Sequence, residues 1–98
     1  MPHEQPLPVT IFFSPRCRYS TRIRERLVKW GIPLQEFNVL EDEAAARRLE
    51  GLARGYRSTP TLVFGNEVKV LVEPTLPELK AALREAGYDV PDEAPRSW

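Results

Sequence analysis

Apolar residues along this chain fall in short runs whose spacing switches between strand-like and helix-like. Val9-Thr10-Ile11-Phe12-Phe13 is β-branched and aromatic, nearly all apolar and followed by Ser-Pro, the pattern of a central strand buried on both faces. From about Cys17 to Trp30 the apolar residues Tyr19, Ile23, Leu27 and Trp30 recur at helical spacing, with Arg18, Arg22, Arg26 and Lys29 on the other face; Gly31 is the stop before Pro33. Leu34 to Leu40 alternates in part, and its β-branched and aromatic residues favour a second strand. Asp42 can cap a helix running to about Ala53, with Ala45, Leu49 and Leu52 sharing a face, and Gly55 ends it. Thr61-Leu62-Val63-Phe64 and Val68-Lys69-Val70-Leu71-Val72 are strands joined by Gly65-Asn66-Glu67, which favours an antiparallel hairpin. Thr75 with Glu78 makes a capping box, Pro77 is tolerated in the first turn, and Leu76, Leu79 and Leu83 line one side of a last helix until Gly87.

The predicted order is βαβαββα. Its βαβ unit demands two parallel strands and a right-handed crossover, so the expectation is an α/β fold: a four-stranded mixed sheet with helices on both faces. With 98 residues the chain has room for one domain only. The expected division is a flexible N-terminal lead over 1–7, the domain over 8–88, and a polar C-terminal tail over 89–98. That tail ends in Trp98, which docks on the domain or does nothing.

The formal net charge is zero, which gives no reason to expect nucleic acid or an anionic membrane as partner. Charge is unevenly spread, however: residues 1–40 carry six Lys/Arg against three Asp/Glu, and residues 41–98 carry eight against eleven. No apolar run approaches the ~20 residues that cross a bilayer. The start Met1-Pro2-His3-Glu4-Gln5-Pro6-Leu7-Pro8 lacks a secretion-signal layout. A single cysteine forbids an intrachain disulfide, and the expectation is a soluble, cytoplasmic monomer whose thiol stays reduced.

That cysteine, Cys17, stands where the first strand turns into the first helix, flanked by Arg16 and Arg18. Free N–H groups at a helix start and two nearby cations favour a thiolate, so Cys17 is a candidate nucleophile; the alternative is a small buried cysteine without chemical consequence. Ser20 either donates a hydrogen bond to the Cys17 sulfur or bonds backbone in the first helical turn. One cysteine and a lone His3 cannot assemble a zinc site, so no metal is expected. The basic face of the first helix is a solvated face or, beside the thiol, a means of steering acidic partners.

The element order, with Ile11-Phe12-Phe13-Ser14-Pro15-Arg16-Cys17-Arg18-Tyr19-Ser20 and Gly55-Tyr56-Arg57-Ser58-Thr59-Pro60-Thr61-Leu62-Val63-Phe64, resembles the thioredoxin fold and is most similar to a glutaredoxin, in a monothiol Cys-x-x-Ser variant. The resemblance implies that Cys17 attacks a disulfide through a mixed disulfide. It implies too that Pro60 is cis against the nucleophile, with the Thr59 backbone able to pair an extended substrate segment. It gives Arg57 the position of the family's basic group for the glycyl carboxylate of glutathione, the other reading being a solvated loop charge. Tyr19 either flanks the sulfur or packs on the core. Thr75, at the start of the last helix, keeps an N-cap that could meet an anion.

Three departures shape the functional expectation. Ser20 stands where dithiol members have a resolving cysteine, so turnover needs an external thiol, glutathione or another low-molecular-weight thiol, and no tightly bound cofactor is expected. Ser14 replaces a lysine, and Val72-Glu73-Pro74-Thr75 replaces the Gly-Gly and Asp that receive the γ-glutamyl end of glutathione. The leading expectation is a monothiol thiol-disulfide oxidoreductase acting on protein or small-molecule mixed disulfides. The alternatives are a thioredoxin-fold binding module without catalysis, an iron–sulfur cluster carrier, and an arsenate-reductase-like protein.

Overall fold

The structure, a computed structural model, describes residues 5–91. Its elements run β1 (Val9–Phe13), α1 (Arg18–Lys29), β2 (Leu34–Asn38), α2 (Glu43–Leu52), β3 (Thr61–Phe64), β4 (Lys69–Val72) and α3 (Leu76–Glu85). The sheet order is β2-β1-β3-β4, with β1 and β2 parallel and the β1–β3 and β3–β4 pairs antiparallel. This is the α/β mixed sheet expected from the pattern.

Successive side chains of a strand point to opposite faces, and both central strands are apolar on both. Val9 and Ile11 of β1 join Leu62 and Phe64 of β3 under α1 and α3, packing against Ile23, Leu27, Leu79 and Leu83. Phe12 and Val63 face the other way, onto Ala45, Ala46 and Leu49 of α2. Phe12 also stacks on Phe37 of β2, its register partner, at 5.3 Å between ring centroids.

Local chemistry sets the element ends. Asp42 caps α2 by accepting from the Ala45 N–H, and the Thr75–Glu78 capping box opens α3. Gly31 after α1 and Gly87 after α3 take φ of +72° and +102°, a region that only glycine enters without steric cost. The second strand stops at Asn38 rather than reaching Leu40. Asn38 turns the chain by accepting the Glu41 and Asp42 N–H groups on its carbonyl and the Leu40 N–H on its side chain.

Folded structure extends past both boundaries expected for the domain. Leu7, assigned to a flexible lead, packs on the core, donates its N–H to the Ala86 carbonyl at 2.9 Å, and accepts from the Tyr88 hydroxyl at 2.6 Å. Val90, assigned to a polar tail, is buried in the α1/α3 core. Both are apolar residues within reach of a core that β1 and α3 leave open at their ends. His3 and Trp98 lie outside the described residues.

Leu83 is fully buried beneath α3. Leu83→Ala is expected to lower unfolding free energy by roughly 2–5 kcal/mol, read from urea denaturation.

Candidate active site

Ser14-Pro15-Arg16-Cys17 forms the turn between β1 and α1. The Cys17 N–H donates to the Ser14 carbonyl at 3.0 Å, and Pro15 occupies the second turn position, where its fixed φ is favourable. The Ser14 side chain accepts the Arg16 N–H at 3.2 Å, while its own N–H donates to the buried Ser20 hydroxyl at 3.1 Å. Ser14 and Ser20 thus brace the turn from both sides. The role of Ser14 was not read from the sequence, where Ser-Pro ahead of a helix was the available signal.

Cys17 is the N-cap of α1 and is partly exposed. Its Sγ accepts from the Ser20 backbone N–H at 3.4 Å and faces the Thr59 carbonyl at 3.5 Å, to which the thiol can donate. The sulfur therefore has a partner in either protonation state: Thr59 O for S–H and Ser20 N–H for S⁻. Arg16 and Arg18 stand exposed on either side.

The Thr59–Pro60 peptide bond is cis, and Pro60 is fully buried. The Pro60 carbonyl accepts the Glu73 N–H at 2.8 Å, so the β4–α3 loop is tied to the same segment. Glu73 reaches that bond with φ of +48°, a left-handed conformation costly to a residue with a Cβ. The Tyr19 hydroxyl donates to the Pro74 carbonyl of this loop. The β1–α1 turn and the Thr59–Pro60 bend thus meet at the sulfur, and the loop from Glu73 to Thr75 is tied to them through Pro60 and Tyr19.

The structure gives the remaining candidate residues the following partners. The Ser20 hydroxyl accepts from Ser14 N–H across the turn and does not serve the sulfur; only the Ser20 backbone N–H does. Tyr19 is exposed rather than packed in the core, and its hydroxyl is spent on Pro74. Arg57, half-exposed, donates through Nε to Glu50 at 2.6 Å and through Nη2 to Glu43 at 2.8 Å, tying the loop ahead of Thr59 to α2. At the α3 N-terminus, Glu78 accepts the Thr75 N–H at 2.7 Å. The Glu78 contact is half of the capping box expected from the sequence, whereas the Glu43 and Glu50 contacts join residues that sequence alone does not align.

The charge states follow these contacts. Hydrogen bonding to Arg57 holds the Glu43 carboxyl below its ordinary value, and the Thr75 backbone N–H does the same for Glu78. Burial pushes the Tyr88 phenol up. Among the described residues no group of three His, Cys, Asp or Glu is placed to hold a metal, and no helix is long and apolar enough to cross a membrane.

A mixed sheet with α1 and α3 on one face, α2 on the other, and a cysteine N-cap against a cis-proline bend defines a thioredoxin-fold protein. Residues 9–69 match the glutaredoxin family, and the chain belongs to it. The match stops at the first residue of β4, short of the Glu73 loop. Among solved structures, the thioredoxin-like protein BC3987 is similar at 28% identity and a TM-score of 0.66, over 76% of this chain and 99% of that one. A single-site mutant of that protein follows at 27% and 0.64, over 74% and 95%. The glutaredoxin grx-1 from Archaeoglobus fulgidus shares the fold at 18% identity and a TM-score of 0.68, over 80% and 87%. No curated protein matches in sequence. Family and fold together support a role of the thiol-oxidoreductase type.

Two outcomes test this geometry. Arg57→Ala should destabilise the protein at neutral pH, and the deficit should shrink as pH falls. Glu43 is held below its ordinary value of 4.5, so its contribution is present above that value and lost as the carboxyl protonates in the fold; thermal melts of both proteins between neutral and acid pH read this. Glu73→Gly should raise stability by about 0.5–1 kcal/mol in urea titrations, since relief of the left-handed conformation outweighs the entropy glycine adds to the unfolded chain.

Proposed function

We propose that the protein is a monothiol thiol-disulfide oxidoreductase. The observation that carries this reading is the Cys17 sulfur at the start of α1, 3.5 Å from the Thr59 carbonyl, in a chain with no second cysteine. Two further features support it. Cys17 is partly exposed, as a nucleophile must be, and no hydrogen bond holds the Thr59 N–H among the described residues, leaving it open to an incoming peptide backbone.

In the proposed cycle the Cys17 thiolate attacks one sulfur of a mixed disulfide. The old S–S bond breaks, a Cys17–sulfur bond forms, and the other sulfur leaves as a thiolate that takes a proton from solvent. A low-molecular-weight thiol then attacks the partner sulfur of the new mixed disulfide. Its own disulfide with that sulfur forms, and Cys17 departs as thiolate. Over the cycle the released sulfur is reduced to a thiol while the sulfur of the external thiol is oxidised into the product disulfide, so the external thiol supplies the reducing equivalent and no bound cofactor is required. Ser20 takes no part in resolution. Glutathione is one candidate for the external thiol; its carboxylates would compete at Arg57 and Thr75 with Glu43, Glu50 and Glu78, which hold those donors in this structure. A reducing compartment such as the cytoplasm suits this chemistry.

The expected outcomes separate Cys17 from Ser20. Cys17→Ser should bring reduction of a hydroxyethyl mixed disulfide down to the uncatalysed rate. Ser20→Ala should retain turnover while losing about 1–3 kcal/mol of stability, the cost of leaving the buried Ser14 N–H without its acceptor. Turnover by Cys17→Ser equal to that of the unmodified chain would overturn the reading.

A further inference from the structure

Cations in this protein divide sharply by what they touch. Arg24 pairs with Glu36, Arg47 and Arg57 with Glu43, Arg57 also with Glu50, and Lys69 with Glu85; Arg48 lies over the Phe12 ring and Lys80 over Trp30. Among the described residues, Arg16, Arg18, Arg22 and Lys29 have no ion pair or ring contact, although Glu25 stands on the same helix. Outside this stretch only Arg54 among the described cations shares that condition. The four are not scattered. Arg16 and Arg18 flank Cys17, and Arg18, Arg22 and Lys29 fall on one stripe of α1, four and seven residues apart.

That stripe borders a cavity of about 380 Å³ between α1 and α3, lined by Tyr19, Arg22, Ile23, Arg26, Lys29 and Leu76, with Glu25 as its one acid. Leu76 also lines a neighbouring hollow of about 290 Å³ with Pro77, Lys80 and Arg84. The groove therefore has basic walls and an apolar floor, and Tyr19, two residues from Cys17, lies at one end. A row of unneutralised like charges is an unfavourable arrangement that a complementary partner relieves.

We infer that this groove docks an acidic, extended protein segment bearing the disulfide that Cys17 attacks, a substrate class that rests on the reading proposed above. Its carboxylates meet Arg18, Arg22 and Lys29, an apolar side chain seats on Ile23 and Leu76, and its backbone near the sulfur pairs with the open Thr59 N–H. The apolar floor and the backbone donor fit a peptide rather than a nucleic acid. Charges of this kind act chiefly on the rate of encounter, so the preference is kinetic and sensitive to salt.

The test uses the full chain and two peptides, identical except that Asp and Glu or Lys residues flank a cysteine held as a mixed disulfide with 2-mercaptoethanol. Rates are expressed relative to hydroxyethyl disulfide in the same protein. The acidic peptide is expected to react roughly tenfold faster than the basic one at low ionic strength, with the advantage fading at about 0.5 M salt and inverting in Arg22→Glu/Lys29→Glu. Equal rates in the unmodified chain, or a preference that survives both high salt and charge reversal, overturns the inference. Serine analogues of both peptides, bound to the Cys17→Ser chain and followed by fluorescence anisotropy, report docking without chemistry. Tighter binding of the acidic analogue with no reaction of any disulfide leaves docking standing and sinks the oxidoreductase reading. Equal binding with normal hydroxyethyl disulfide turnover does the reverse. A duplex oligonucleotide that displaces the acidic analogue at lower concentration than the analogue itself identifies a nucleic-acid surface and also overturns the inference.

Discussion

The antiparallel pairing of β1 with β3 is the constraint on which the site depends. With Phe12 opposite Thr61, the end of β1 and the start of β3 lie side by side at one end of the two central strands. The turn carrying Cys17 leaves β1 there, and the Thr59–Pro60 bend enters β3 there. Forty-two residues separate Cys17 from Thr59 in sequence, yet the strand register alone brings them within contact. Burial of both strands on both faces makes that register hard to shift, since a one-residue slip would exchange the residues facing α2 with those facing α1 and α3.

Around this junction the protein uses backbone for shape and leaves side-chain charge to the periphery. Sγ, Thr59 O, Pro60 O, Ser20 N–H and Glu73 N–H are joined by main-chain contacts, so the immediate surroundings of the sulfur are neutral dipoles. The acidic residues 43, 50 and 78 are engaged on α2 and α3, where they consume Arg57 and the N-terminus of α3. Apart from Arg54, the described cations without an ion pair or ring contact lie on the other flank, at Arg16 and along α1. The uneven distribution seen along the chain thus becomes a spatial asymmetry: one side of Cys17 is internally neutralised, and the other is not.

Glu73, where the resemblance implies Gly-Gly, takes a left-handed backbone conformation in the loop after β4. The N–H must turn toward Pro60, which requires positive φ, and a non-glycine residue accepts that conformation. The family match ends before this loop, at Lys69, so the segment that differs most from the expected pattern also lies beyond the matched residues.

Amino-acid order by itself determined the element sequence, the βαβ crossover, the two-faced burial of β1 and β3, and the caps at Asp42 and Thr75. All of these follow from spacing of apolar residues and from local side-chain-to-backbone bonds, which act within a few residues. The resemblance to glutaredoxins implied in addition that Cys17 and the Thr59-Pro60 pair belong together. Tertiary structure decided the rest. The commitment of Arg57 to Glu43 and Glu50 joins residues 14 and 7 positions apart, and the bonds from Ser14 to Ser20 and from Tyr19 to Pro74 depend on how separate elements pack. Leu7 and Val90 joined the core because the packed sheet and helices left a place for them, which no local pattern could announce. A charge in the sequence is only a candidate for binding; its availability is settled by which opposite charges the fold brings within reach.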